Sequence, residues 1–172
     1  EEYKEYNLKS HVHGKPNIKI EDHVDRKFIR FMGPGSAYNF ISMNEAVKDS
    51  GLEEKDISNF TTGMIMGSGA LGMDSSNKAV FSKILEGNVK RLGSRAIPES
   101  MSSGGAAYLN QILGLGNRIL SNSSACITGT ESVLLGYEHL KSGKAKRMLC
   151  GSTEGDGIFI WGAFDAMRIL TS

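Results

Sequence analysis

The stretch 119-ILSNSSACITGTESVLLGYEHLKSGKAKRMLCG-151 constrains this chain more than any other, because it sets two short apolar runs around one amphipathic segment with little loop between them. Ile119 and Leu120 begin a short strand. From Cys126 to Leu140 the apolar positions Ile127, Val133, Leu134, Tyr137 and Leu140 recur as one face of a helix. Lys141-Ser142-Gly143-Lys144 then supplies cations for the helix C-terminus and a glycine to end it. Arg147 to Gly151 reads as the next strand. The segment is therefore a strand, a turn bearing Cys126, a helix and a strand, which points to an α/β fold.

Upstream, the chain continues in the same style, with glycine at the joints and no internal repeat or low-complexity linker. Asp25 to Met32 has helical character and is interrupted by Gly33-Pro34-Gly35. From Ser36 an amphipathic helix resumes, carrying Tyr38, Phe40, Ile41, Ala46 and Val47, and Gly51 ends it. Thr61 to Met66 reads as a buried strand leading into 67-GSGALG-72. With 172 residues and 40% hydrophobic content, the chain is long enough for one core or for part of a larger domain. Twenty basic against nineteen acidic side chains leave a formal charge of +1, so the composition asks for neither nucleic acid nor an anionic membrane as partner. The apolar run from Ile158 to Phe164 is too short to span a bilayer, and EEYKEY does not read as a signal or transit peptide. A soluble, cytoplasmic protein with both cysteines, Cys126 and Cys150, reduced is the expectation. The chain opens without Met and stops at MRILTS with no closing signal, which leaves open that both ends are cuts.

Cys126 carries the chemical interest. At a helix N-terminus the unpaired N–H groups and the dipole favour thiolate over thiol, and the same N–H groups can meet a developing oxyanion. Ser123, Ser124, Ala125, Thr128 and Gly129 are small enough to let a substrate carbonyl approach. Spacing alone leaves a second reading open, in which a cysteine in a small-residue turn is a packing choice. Cys150, inside the apolar run MLC, reads as core. GSGALG matches the dinucleotide pattern G-x-G-x-x-G, and Glu86 stands where an acidic ribose ligand would be sought. The following MDSSNKAVFSKI lacks the apolar helix start that such a site needs, which favours a loop where the backbone requires room. His11, His13, His23 and His139 form no metal-ligand pattern, and none stands as a base for Cys126. No metal or cofactor is expected.

SSACITGTES, with GKAKRMLCGSTEG and AFDAMRILTS after it, resembles the active-site region of the elongating β-ketoacyl-acyl carrier protein synthases. Their cysteine lies in S-S/T-A-C-A-T-G/S. The segments 25-DRKFIRFM-32 and DSGL are similar to the same family, and SHVHG leans toward its type I branch. The resemblance implies the thiolase fold, in which two related α/β halves stack their sheets and helices in layers. Residues 1–172 would be the N-terminal half of that fold, a partial N-terminal domain incomplete at both ends.

By the resemblance, Cys126 accepts an acyl chain from acyl carrier protein and passes it to the carbanion formed when malonyl-carrier protein loses CO2, in fatty acid elongation. Its backbone N–H would be one oxyanion donor. Arg26, Lys27 and Arg30, with Lys90, would face the acidic carrier protein. Gly67 and Ala70 would line the acyl channel, Met101 would lie near the same pocket or the dimer seam, and the enzyme would be a homodimer. The sequence also departs from the family. The two histidines and the lysine used in condensation, in motifs such as H-G-T and a Gly-Phe-Gly-Gly turn, have no counterpart, and neither does the opening strand with V-I-T-G-x-G. Ile127 replaces a small residue, and Gly33-Pro34-Gly35 stands where relatives run a smoother segment. The expectation is about half of a synthase, not competent for condensation alone, with an apolar face exposed where the other half would sit. A short non-catalytic homologue that binds carrier protein or a partner subunit, a polyketide-type ketosynthase and a cysteine hydrolase are the alternatives, the last without a local base.

Overall fold

Thr62–Gly67 forms β1, and all six of its residues are buried, as expected of a central strand covered on both faces. A computed structural model describes residues 4–14, 16–29, 32–71, 73, 81–155 and 157–171. β1 pairs in parallel with β2 (Ile119–Leu120) on one side and β3 (Arg147–Ser152) on the other, giving the order β2-β1-β3. Met64 stands opposite Ile119, and Thr62 to Gly67 run opposite Arg147 to Ser152. The four longer helices among the described residues are α1 (Pro34–Asp49), α2 (Gly104–Leu113), α3 (Thr128–Lys141) and α4 (Ile158–Ala166).

Strand alternation divides the packing in two. Met64 and Met66 face Ala37, Phe40, Ile41 and Met43 of α1 and Ala106 and Leu109 of α2, with Ile119 and Leu149 packed at the margin. Burying a side chain such as Met64 contributes about 1.5–3 kcal/mol. The other face carries Gly63, Ile65 and Gly67 of β1 beside Met148, Cys150 and Ser152 of β3, and α3 lies across it. Gly136 sits against Cys150 and Met148, and Gly129 against Ser152. The chain moves from β1 outward to β2 and then back across β1 to β3. Connections of one hand therefore place α2 and α3 on opposite faces of the sheet.

Three elements depart from the sequence reading or go beyond it. The apolar stripe of α3 does not face the sheet: Val133, Leu134 and Tyr137 are 58%, 53% and 57% exposed, while Thr128, Ser132 and Gly136 are the buried residues. Close approach to β1 and β3 requires the small side. α1 begins at Pro34, two residues before Ser36, because proline suits the first helical turn, where its missing N–H costs nothing. Gly51 does end it, at φ +67°. α2 gave no sequence signal, since Gly104 and Gly105 are poor helix formers. They are required there because a side chain at Gly104 would strike the Pro98 carbonyl, and Gly105 packs on Ser36 and Leu71. Within the expected helix from Asp25 to Met32, the helix described is the single turn Arg26–Ile29, with residues 30 and 31 outside the described residues.

Candidate active site

The three parallel strands end at one edge of the sheet, where α/β folds gather their binding residues. β1 runs out into residues 68–71, β2 into 121–127 and β3 into 153–155. Cys126 belongs to the second of these, in a 3-10 turn, Ala125–Ile127, that leads directly into α3. It is exposed. The helix proper begins at Thr128 and not at Cys126, so the thiol stands one turn before the helix, toward its positive end.

The turn is tightly specified. Ala125 has φ +50°, a left-handed conformation that costs a side-chain-bearing residue roughly 1–2 kcal/mol. Its carbonyl accepts from Thr128 Oγ1 at 2.6 Å, and the Thr128 hydroxyl oxygen in turn accepts from Ser124 N–H at 2.8 Å. Asn122 Nδ2 donates to Thr128 O at 3.1 Å and to Glu131 Oε2 at 2.9 Å, and Ser132 Oγ donates to Asn122 Oδ1 at 2.8 Å. Ser124 Oγ also donates to Glu131 Oε2. These donations from Ser124 and then Asn122 hold the Glu131 carboxyl below the usual glutamate range.

Gly67 backs this turn from beneath: a side chain there would run into Thr128 Cγ2 and Asn122. Ser68 N–H donates to Asn122 O at 3.1 Å, which joins the β1 loop to the cysteine loop. In that loop the N–H groups of Gly69 and Ala70 donate to the two carboxylate oxygens of Glu154 at 2.7 and 3.0 Å. The anion that the Gly69 and Ala70 N–H groups meet is thus supplied from within the chain. Thr153 Oγ1 donates to Gly35 O at 2.8 Å, tying the start of α1 to the same edge.

Met101 follows the short helix Ala96–Ser100 and is 49% exposed. The neighbouring Ser102 carbonyl accepts from Ser121 Oγ at 3.4 Å, which brings this turn to the rim of the cysteine loop. Structure therefore gathers Cys126, Gly67, Ala70 and Met101 at one edge. Arg26 and Lys27 stand apart on an exposed turn capped by Asp25, whose carboxyl is lowered chiefly by the Lys27 backbone N–H. Lys90 lies on another exposed turn, Val89–Arg91, and Arg30 lies outside the described residues. Cys150, expected in the core, is only partly buried on β3, and that burial pushes its thiol up. His139 pairs its Nε2 with Asn117 Oδ1 at 3.0 Å, about 20 Å along the helix from Cys126.

Asn122, Glu131 and Glu154 were not singled out from the sequence. Thr128-Gly-Thr-Glu131 has the spacing of a helix-start pattern, which could have directed attention to Glu131. Nothing local marks Glu154, whose partners lie more than eighty residues away.

Residues 2–172 match the family described as Beta-ketoacyl synthase, N-terminal domain. The chain belongs to that family. As a beta-ketoacyl synthase N-terminal domain it is 34% identical to 3-oxoacyl-[acyl-carrier-protein] synthase 1 of Haemophilus influenzae, over 99% of this chain and 42% of that protein. It is 31% identical to the synthase of the same name from Escherichia coli, over 100% of this chain and 43% of the relative. The chain thus spans less than half the length of these relatives. A beta-ketoacyl synthase from Burkholderia phymatum superposes with a TM-score of 0.81 at 25% identity, over 91% of this chain and 38% of that one. The ketosynthase of AntDE:AntF, described as bound to its type II PKS acyl-carrier protein, superposes at 0.79 with 17% identity, covering 89% of this domain and 44% of that chain. The domain is α/β, with the thiolase fold of these ketosynthases, of which it spans the N-terminal part. No helix among the described residues is long and apolar enough to cross a membrane.

Proposed function

We propose that this domain carries the nucleophile of a 3-oxoacyl-acyl carrier protein synthase, with Cys126 as the residue that is acylated. The observation that carries the reading is the position of Cys126: exposed, on a left-handed turn ahead of α3, at the C-terminal edge of a parallel sheet. The Cys126 thiolate attacks the carbonyl carbon of an acyl thioester on the carrier protein. The carbon–sulfur bond to the carrier breaks, the carrier sulfur leaves and takes up the proton that the Cys126 thiol gave up, and the acyl chain remains on Cys126. Malonyl-carrier protein then loses CO2, and the carbanion attacks the Cys126 thioester. A carbon–carbon bond forms and the Cys126 thiolate is released. Both steps pass through an oxyanion, for which the Cys126 N–H is one donor.

Gly67 and Ala70 line the acyl channel in this reading, and Met101 borders it from the rim. Arg26, Lys27, Arg30 and Lys90 meet the acidic carrier protein, an assignment supported by the exposure of Arg26, Lys27 and Lys90. The reaction belongs to fatty acid elongation, supported by the names of the curated relatives, and the reading takes the enzyme as a cytoplasmic homodimer. The test is intact mass spectrometry of the full-length protein incubated with acyl-carrier protein. Wild type should gain one acyl group on Cys126 and Cys126→Ala none. An acyl adduct surviving Cys126→Ala would sink the assignment.

A further inference from the structure

Glu131 is held at the cysteine turn by more bonds than a first-turn glutamate needs for capping. One oxygen, Oε2, accepts from both Ser124 Oγ and Asn122 Nδ2. Asn122 is gripped again by Ser132 Oγ, and its backbone carbonyl by Ser68 N–H. Ser124 directly precedes the left-handed Ala125, and Asn122 opens the loop, so Glu131 holds the loop on the N-terminal side of Ala125. Thr128 holds its other side through the Ala125 carbonyl and shares the N-terminal side through the Ser124 N–H. The remaining residues of the turn, Ser123, Ala125 and Cys126, have exposed side chains.

We propose that Glu131 is a positioning residue, which fixes the 122–126 turn through Ser124 and Asn122 and so sets where the Cys126 thiol is presented. The proposal rests on the reading of Cys126 as nucleophile and adds what aims it. Because a single oxygen receives both hydrogen bonds, a glutamine can reproduce the arrangement through its carbonyl, whereas alanine removes it. Position and charge therefore separate: Glu131→Gln keeps the acceptor without the charge.

The experiment is alkylation of the full-length protein by iodoacetamide between pH 6 and 10, followed at Cys126 by peptide mass with Cys150 as the internal reference. Glu131→Ala should lower the limiting rate at Cys126 about tenfold or more, the scale that misplacing a reacting group produces. Glu131→Gln should stay within about threefold of wild type, and Ser124→Ala, which removes one of the two donors, should fall between. Cys150 should be unaffected throughout. Unchanged reactivity in Glu131→Ala overturns the proposal, and so does a Glu131→Gln as impaired as Glu131→Ala, since charge would then be the cause. Should Glu131→Ala fail to fold, Ser124→Ala decides in its place: wild-type reactivity there overturns the proposal. Failure of the wild-type protein to accept an acyl group, with alkylation still governed by position 131, would sink the synthase reading and leave this one standing.

Discussion

Gly67 and Thr128 meet where β1 ends and α3 begins, and the contact leaves no room for a methyl group. A Cβ at Gly67 would collide with Thr128 Cγ2 and with both oxygens of Asn122, groups that cannot retreat without straining the bonds that tie Asn122 and Thr128 into the cysteine turn. Gly67→Ala should therefore destabilise the protein by about 1–3 kcal/mol in a denaturant titration and slow modification of Cys126, because strain passes directly into the turn. Thr128→Val is the complementary test. Valine keeps the shape but strands the Ser124 N–H and the Ala125 carbonyl, at about 1–3 kcal/mol. A valine variant as stable and as reactive as wild type would mean that the hydroxyl does not hold the turn. At this scale the sequence was legible only in part. Cys126 stood out because its small neighbours are contiguous, while Glu154 did not, because its carboxylate meets Gly69 and Ala70 only after the chain has folded.

Among the elements, β1, β2, β3 and α3 were readable within a residue or two, since short apolar runs and a terminating glycine are local signals. α2 was not, for a physical reason: the glycines that lower helix propensity are the ones that let it approach Pro98 and α1. The face that α3 turns to the sheet was also hidden, because close packing there selects Thr128, Ser132 and Gly136 over the larger apolar residues. α4 carries a further element-scale consequence through Asp165, which accepts from the backbone N–H groups of Lys9 at 2.9 Å and Ser10 at 2.8 Å. Those two donations, Lys9 first, hold its carboxyl below the ordinary aspartate range. A carboxyl lowered on folding stabilises above its unfolded value, and the contribution is lost as pH falls through the lower, folded value. The N-terminal segment should thus stay tied to α4 at neutral pH and loosen below about pH 4. Hydrogen exchange at Lys9 and Ser10, taken relative to intrinsic rates, should lose protection on acidification, and Asp165→Asn should weaken it at pH 7. Protection at pH 7 that Asp165→Asn leaves unchanged would count against the tie.

At the scale of the whole molecule, the outer side of α3 decides how these 172 residues behave in isolation. Val133, Leu134 and Tyr137 are each more than half exposed, Leu140 is 37% exposed, and Ile127, next to the cysteine, is 64% exposed. Their spacing makes one continuous stripe, and a stripe of that kind on an isolated chain invites self-association. Since these side chains contribute little to the core beneath them, changing their polarity should barely alter folding. Val133→Lys with Leu134→Lys should shift stability by no more than about 0.5 kcal/mol, the usual range for surface positions. The same pair should reduce binding of an apolar dye and raise the concentration at which the 172-residue chain begins to associate, as measured by light scattering. Gly136→Ala makes the contrast on the opposite side of the same helix. A methyl there meets Cys150 Sγ, so folding should suffer by about 1–3 kcal/mol while dye binding by the folded fraction stays unchanged. If instead the lysine pair unfolded the chain and Gly136→Ala did not, α3 would have to lie on the sheet by its apolar side, and the arrangement that presents Cys126 at the sheet edge would be wrong.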